Sequence, residues 1–135
     1  MNEKTKEVFE LPLQIKPEHI DELGHVNNIV YLKWVQDLAI AHWQKEAHPD
    51  DQKALIWVVV RHEIDYKRSA MPNDELLGKT WVGQASAKAF ERFSEIVRTS
   101  DGKTLASAKT IWRPIDVKTG KPTNVNERVR KDFSV

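Results

Sequence analysis

Only one long stretch of this chain carries helical periodicity. From about Asn28 to Ala47, the residues Tyr31, Leu32, Val35, Leu38, Ala39, His42 and Trp43 recur at three- and four-residue spacings, the pattern of one broad apolar helix face. Lys33, Gln36, Asp37, Gln44 and Lys45 fall on the opposite side. Pro49, in His48-Pro49-Asp50-Asp51, ends the pattern because proline cannot continue a helix. Five or six turns, about 30 Å, is long for a small domain, so this helix is expected to lie across most of a sheet.

The sheet is supplied on both sides of it. Leu11, Leu13 and Ile15 alternate with Pro12, Gln14 and Lys16 in Val8 to Lys16, a strand with one buried face. Pro12 lacks a ladder donor and favours an edge or a bulge. After the helix, Ala54 to Lys67 predicts a strand with Ile56, Val58, Val60, His62, Ile64 and Tyr66 on one face, and Arg61, Glu63, Asp65 and Lys67 on the other. Met71-Pro72-Asn73-Asp74 marks a turn. Two weakly alternating strands follow, Leu76 to Ala87 and Lys88 to Thr99. Asp101-Gly102 is a hairpin signal before a last strand, Lys103 to Ile115. A turn at Lys118 to Pro122 leads to a short helix, Asn126 to Phe133. The expected fold class is therefore α+β: a five-stranded antiparallel sheet, one long helix and a short C-terminal helix, as one domain over residues 1–135.

One helix covers one sheet face only. The other face stays wet or is buried by a partner, which predicts a homodimer or higher, a homotetramer included. Trp57, Trp81 and Trp112 are candidates to cover that interface or to pack the core. With 21 basic and 20 acidic residues the net charge is +1, so no global field selects nucleic acid or an anionic membrane. Cysteine is absent, which removes disulfides, thiolate metal sites and cysteine nucleophiles and fits a reducing compartment. The polar start and the lack of a long apolar run predict a cytoplasmic protein without a signal peptide or membrane span.

Directly before the long helix stands Asp21-Glu-Leu-Gly24-His25-Val-Asn27-Asn28-Ile-Val-Tyr31. Loop residues at a helix N-terminus sit beside unpaired backbone N–H groups and the positive end of the macrodipole, where a carbonyl oxygen gaining charge can be held. A helix entry explains the asparagines as caps and Gly24 as a turn residue. It does not explain Asp21 or His25.

This stretch, in this order of elements, resembles the hotdog fold, and within it the 4-hydroxybenzoyl-CoA thioesterase branch of acyl-CoA thioesterases. Asp21-x-x-Gly24-His25-Val26-Asn27-Asn28-x-x-Tyr31 is similar to that family's D-x-x-G-H-V-N-N-x-x-Y. Tyr66 to Asp74 is similar to its tyrosine, small residue and acid ahead of the third strand. Trp112 to Pro122 is similar to its final strand and turn. Where many relatives carry an acid or aromatic residue two positions before the motif aspartate, this chain has His19. Where many place a glutamate further along the helix, it has Gln36-Asp37.

The resemblance implies an acyl-CoA thioesterase that uses no metal and no cofactor. Asp21 is the expected nucleophile or general base, and the residues alone do not choose between the two. Backbone N–H groups near Asn28 are the expected oxyanion site. His25 is expected to hydrogen-bond the carbonyl or orient Asp21. On the substrate side, Gly24 shapes the turn, Asn27 holds the loop or cap, and Tyr31 lines the acyl pocket or packs. Lys67-Arg68, and Lys88 with Arg92, are either solvated surface or contacts to the phosphates of coenzyme A. His62-Glu63 lacks a second metal-spaced histidine and reads as a satisfied sheet histidine. No glycine-rich phosphate loop and no Gly-x-Ser-x-Gly elbow occurs. The competing expectations are an acyl-carrier-protein thioesterase, a non-catalytic acyl-CoA binding module and a hotdog dehydratase.

Overall fold

The structure is a computed structural model and describes residues 8–133. Strand β1 (Phe9–Leu13) is followed by a 3₁₀ turn at Pro17–His19 and helix α1 (Asn28–Glu46). A second, short helix α2 (Pro49–Ala54) leads into β2 (Leu55–Tyr66), β3 (Leu76–Ala85), β4 (Phe90–Arg98) and β5 (Thr104–Asp116), and α3 (Glu127–Phe133) closes the chain. All pairings are antiparallel in the order β1-β3-β4-β5-β2. This is the expected α+β architecture, a five-stranded sheet around one long helix. Pro12 sits in edge strand β1, where its missing N–H costs no second ladder.

Helix α1 starts where Asn27 caps it. Asn27 is extended and its Oδ1 accepts the Ile29 N–H at 3.0 Å. Tyr31, Trp34, Val35, Leu38, Ala39 and His42 form its buried side. The helix can lie close to β3 because position 78 is glycine: a Cβ there would stand 2.6 Å from Leu38 Cδ2. Two apolar clusters flank this contact. One joins Tyr31 and Trp34 to Ala70, Leu76, Ile96 and Leu105; the other joins Val82 and Phe90 to Val125, Val129 and Phe133 of the C-terminal segment.

Two local expectations are corrected. His48 to Asp51 is not only a break, for Pro49 opens α2. Proline is tolerated in a first helical turn, and the His48 Nδ1 accepts the Asp50 N–H at 3.1 Å as a cap. The single face expected for β2 is split. The register shifts between Val59 and Arg61, leaving Val60 as the extra residue. Such a bulge moves every later side chain to the other face. Leu55, Trp57 and Val59 therefore share the helix side with His62 and Ile64, while Ile56, Val58 and Val60 are exposed.

Candidate active site

The stretch from Asp21 to Asn28 is a compact loop rather than a loose connection. Its ends are joined by a bridge between Ile20 and Val26. The Asp21 N–H donates to the His25 carbonyl at 2.8 Å, and the Gly24 N–H to the Asp21 carbonyl at 3.0 Å. The carboxylate shapes the same turn: Oδ1 accepts the N–H groups of Leu23 (2.9 Å) and His25 (3.2 Å). Gly24 supplies the positive φ, 81°, that lets the chain reverse there, a conformation costly for other residues. Asp21 and His25 are half-buried. The His25 imidazole makes no hydrogen bond among the described residues, and neither does the Asn28 N–H at the first position of α1. An unpaired amide on the positive end of a helix is suited to a developing oxyanion.

A second segment is clamped against this loop. The Val26 N–H donates to the Ala70 carbonyl at 3.0 Å, and the Tyr66 hydroxyl to the Asn28 carbonyl at 3.4 Å. Lys67 and Arg68, exposed, stand in that segment with both backbone N–H groups on the Leu105 carbonyl. The fold thus gathers Asp21, Gly24, His25, Asn27, Asn28, Lys67 and Arg68 at the N-terminal end of α1. Tyr31 belongs to the core beneath them. It is buried, its hydroxyl accepts the Ala70 N–H at 2.8 Å, and burial raises its pKa. His19 supports the loop from behind: its Nδ1 accepts the Lys16 N–H at 3.0 Å, its carbonyl accepts the Asn27 N–H at 2.8 Å, and its ring meets Trp34 edge-on.

Arg92 departs from its expected place on the surface. It is buried on the helix side of β4, beside His42 and Thr80, because alternation along β4 puts it in line with Phe90 and Ser94. Lys88 stays exposed in the β3–β4 turn. His62 is a satisfied sheet histidine, with Nδ1 2.8 Å from Thr110 Oγ1, and burial lowers its pKa. Trp57 and Trp112 line a cavity of about 600 Å³ between α1 and the β2–β5 half of the sheet. Trp81 is on the outer face, stacked on Phe93. Sequence reasoning missed this cavity. Its floor is built from three strands and from the bulge in β2, which no local pattern announces.

Helix and sheet together define the hotdog fold, and the family to which the chain belongs makes it a thioester hydrolase. The chain belongs to the thioesterase-like superfamily, whose family model matches residues 15–133. It is 26% identical over 124 residues to the long-chain acyl-CoA thioesterase FadM of Escherichia coli K12, covering 88% of this chain and 92% of that protein. Among solved structures it is similar to Slr0204, a 1,4-dihydroxy-2-naphthoyl-CoA thioesterase from Synechocystis, with a TM-score of 0.80 at 21% identity over 93% of this chain and 95% of the other. It is also similar to the SAV2348 protein of Staphylococcus aureus in complex with CoA, with a TM-score of 0.84 at 14% identity over 98% and 85%. Among the described residues no helix is long and apolar enough to cross a membrane.

Proposed function

We propose that this protein hydrolyses acyl-CoA to a free acid and CoA at the N-terminal end of α1. The observation that carries this reading is that one short loop holds the Asp21 carboxylate and ends at the unpaired Asn28 N–H. A carboxylate and an oxyanion donor are the two things thioester hydrolysis requires. Asp21 takes a proton from water as the water oxygen adds to the thioester carbon. The Asn28 N–H receives the oxyanion, the C–S bond breaks, and the thiolate leaves as CoA after protonation. Alternatively, the Asp21 carboxylate adds to the thioester carbon, the C–S bond breaks to expel the CoA thiolate, and water then hydrolyses the resulting anhydride to the free acid and the Asp21 carboxylate. His25 meets the carbonyl or steadies Asp21. Lys67 and Arg68 face the phosphates of CoA. FadM, Slr0204 and SAV2348 act on or bind CoA compounds, whereas an acyl-carrier-protein hydrolase of Cuphea viscosissima matches 61% of this chain and only 20% of its own length, which favours CoA esters.

Strand β2 lies at the sheet edge and exposes Ile56, Val58 and Val60. An open apolar edge of this kind is a template for another chain, and a second copy of this protein is the occupant that this reading assigns to it. A clean monomer in sizing chromatography contradicts that assignment.

Free-thiol release across short, long, branched and aromatic acyl-CoAs tests the activity. The Asn side chain keeps an oxygen for the Leu23 and His25 N–H groups, so Asp21→Asn preserves the loop. It is expected to lower kcat by about 10²–10⁴-fold. Full rate in Asp21→Asn, or no ester cleaved by the native protein, refutes the reading.

A further inference from the structure

The cavity between α1 and the β2–β5 half of the sheet is walled by the aromatic rings of Trp43, Trp57, Phe90 and Trp112. One charged group interrupts that wall. Arg92 lines the cavity and is only 5% exposed. A guanidinium carries five N–H donors and no acceptor. Here Nη1 donates to Thr80 Oγ1 at 3.2 Å and lies 3.0 Å from His42 Nδ1, while Nε and Nη2 donate to nothing among the described residues. No carboxylate forms an ion pair with it among those residues.

The two groups that it does meet are uncharged. Thr80 offers a hydroxyl. His42 offers a neutral ring that accepts through Nδ1, because burial and the adjacent Arg92 charge hold its pKa down to about 4. Arg92, lowered to about 10 by burial, keeps its charge at neutral pH. The indole N–H groups of Trp57 and Trp112 in the same wall are also buried without acceptors, so this wall has more donors than acceptors. Burying an uncompensated cation is costly, and an apolar side chain of similar volume avoids that cost. An anion arriving with a ligand would meet this cation in a charge-assisted hydrogen bond, about twice as strong as a neutral one.

We infer that this cavity takes an acyl group ending in a carboxylate, with Arg92 as the residue that selects it. The inference rests on the acyl-CoA thioesterase reading, in which this is the acyl chamber. Gln36, at the cavity margin, is just over two helical turns from Asn28, about 12 Å. The thioester therefore sits at the helix N-terminus while the distal end reaches under α1. A plain alkyl end leaves the guanidinium against methyl groups with its water removed; a carboxylate end pairs with it. The rings on either side accept a methylene chain in both cases, so the anion decides the preference.

Two measurements test this. Thiol release is compared between adipoyl-, suberoyl- and sebacoyl-CoA and their hexanoyl, octanoyl and decanoyl counterparts. At one matched length or more, the carboxylate-ended ester is expected to have kcat/KM about 10- to 100-fold higher, the worth of one charged hydrogen-bonded contact. Arg92→Leu abolishes that preference, while Arg92→Lys, which keeps a charge, retains part of it. Separately, calorimetry measures binding of octanoate and octan-1-ol, which needs no catalysis. Octanoate binds more tightly than the alcohol to the native protein and loses that advantage in Arg92→Leu. Ester cleavage with methyl-ended chains equal or preferred at every matched length, or octanoate binding unchanged by Arg92→Leu, overturns the inference and leaves the thioesterase reading standing. Arg92-dependent octanoate binding with no ester cleaved supports the anion-selecting cavity and removes the thioesterase reading instead.

Discussion

The Tyr31 hydroxyl accepts the backbone N–H of Ala70 at 2.8 Å, and both residues are buried. The carbonyl of the same Ala70 accepts the Val26 N–H from the candidate catalytic loop. One residue is thus held on one side by α1 and on the other by the loop that carries Asp21. The tyrosine ending the loop pattern serves to fix the loop in place.

Tyr31→Phe keeps the ring contacts with Trp34 and Tyr66 and deletes only the acceptor. A buried N–H left without a partner costs about 1–3 kcal/mol. Urea denaturation of the variant is expected to show that loss at an unchanged m-value, and kcat should fall less than in Asp21→Asn. An unaltered midpoint shows that the bond contributes nothing.

Gly78→Ala tests how closely α1 approaches the sheet. The new methyl meets Leu38 Cδ2 at 2.6 Å and Cδ1 at 2.9 Å, and Leu38 is fully buried. Overpacking of this kind costs about 1–3 kcal/mol. The double variant Gly78→Ala/Leu38→Val should recover part of the loss in thermal unfolding; additivity of the two changes counts against direct contact.

Asp51 joins α2 to the C-terminal segment. Its carboxylate, 4% exposed as a residue, accepts Arg128 Nε (2.8 Å), Arg128 Nη2 (2.9 Å) and Asn126 Nδ2 (2.9 Å). Asp51→Ala removes three charge-assisted or amide hydrogen bonds from a nearly buried acceptor and is expected to lower the unfolding midpoint, although the half-exposed Arg128 regains water. Lys33→Ala removes an exposed pair with Asp37 and should stay within about 0.5 kcal/mol. Equal unfolding midpoints for the two variants sink the distinction.

The long helix, the strands and the loop before α1 were legible because each is written locally, in a period or a run of adjacent residues. The cap at Asn27 and the turn at Gly24 are likewise local chemistry. What was not legible depends on residues distant in the chain. The bulge at Val60 shows no signal within Leu55 to Tyr66, since valines and isoleucines occupy both faces before it. Arg92 reads as surface until β4 is placed between β3 and β5 under α1, where its neighbours come from positions 42 and 80. Asp51 meets Arg128 only because α3 folds back across the end of the sheet. Pro49 stops α1 and also starts α2, whose cap comes from His48.

Acid sensitivity follows from His42. Buried between Phe9 and Phe133 and hydrogen-bonded to Arg92, it is held to a pKa of about 4 by desolvation first and the Arg92 charge second, with Glu46 opposing and Lys45 adding slightly. The ordinary value is 6.5, so between these two limits the unfolded chain binds the proton that the folded chain refuses. Stability is then fully present above about pH 6.5 and declines as pH falls toward 4, by up to about 3 kcal/mol for this group. His62, also lowered by burial, adds in the same direction. The depressed carboxyl of Asp51, lowered chiefly by its hydrogen bond to Arg128, acts only below its ordinary 3.8 and lies outside that window. His42→Gln offers Arg92 an amide oxygen and does not titrate. Its unfolding free energy, lower overall, should therefore fall less steeply between pH 6.5 and 4.5 than that of the native protein. Parallel pH profiles for the two proteins would mean that His42 already carries its proton in the fold.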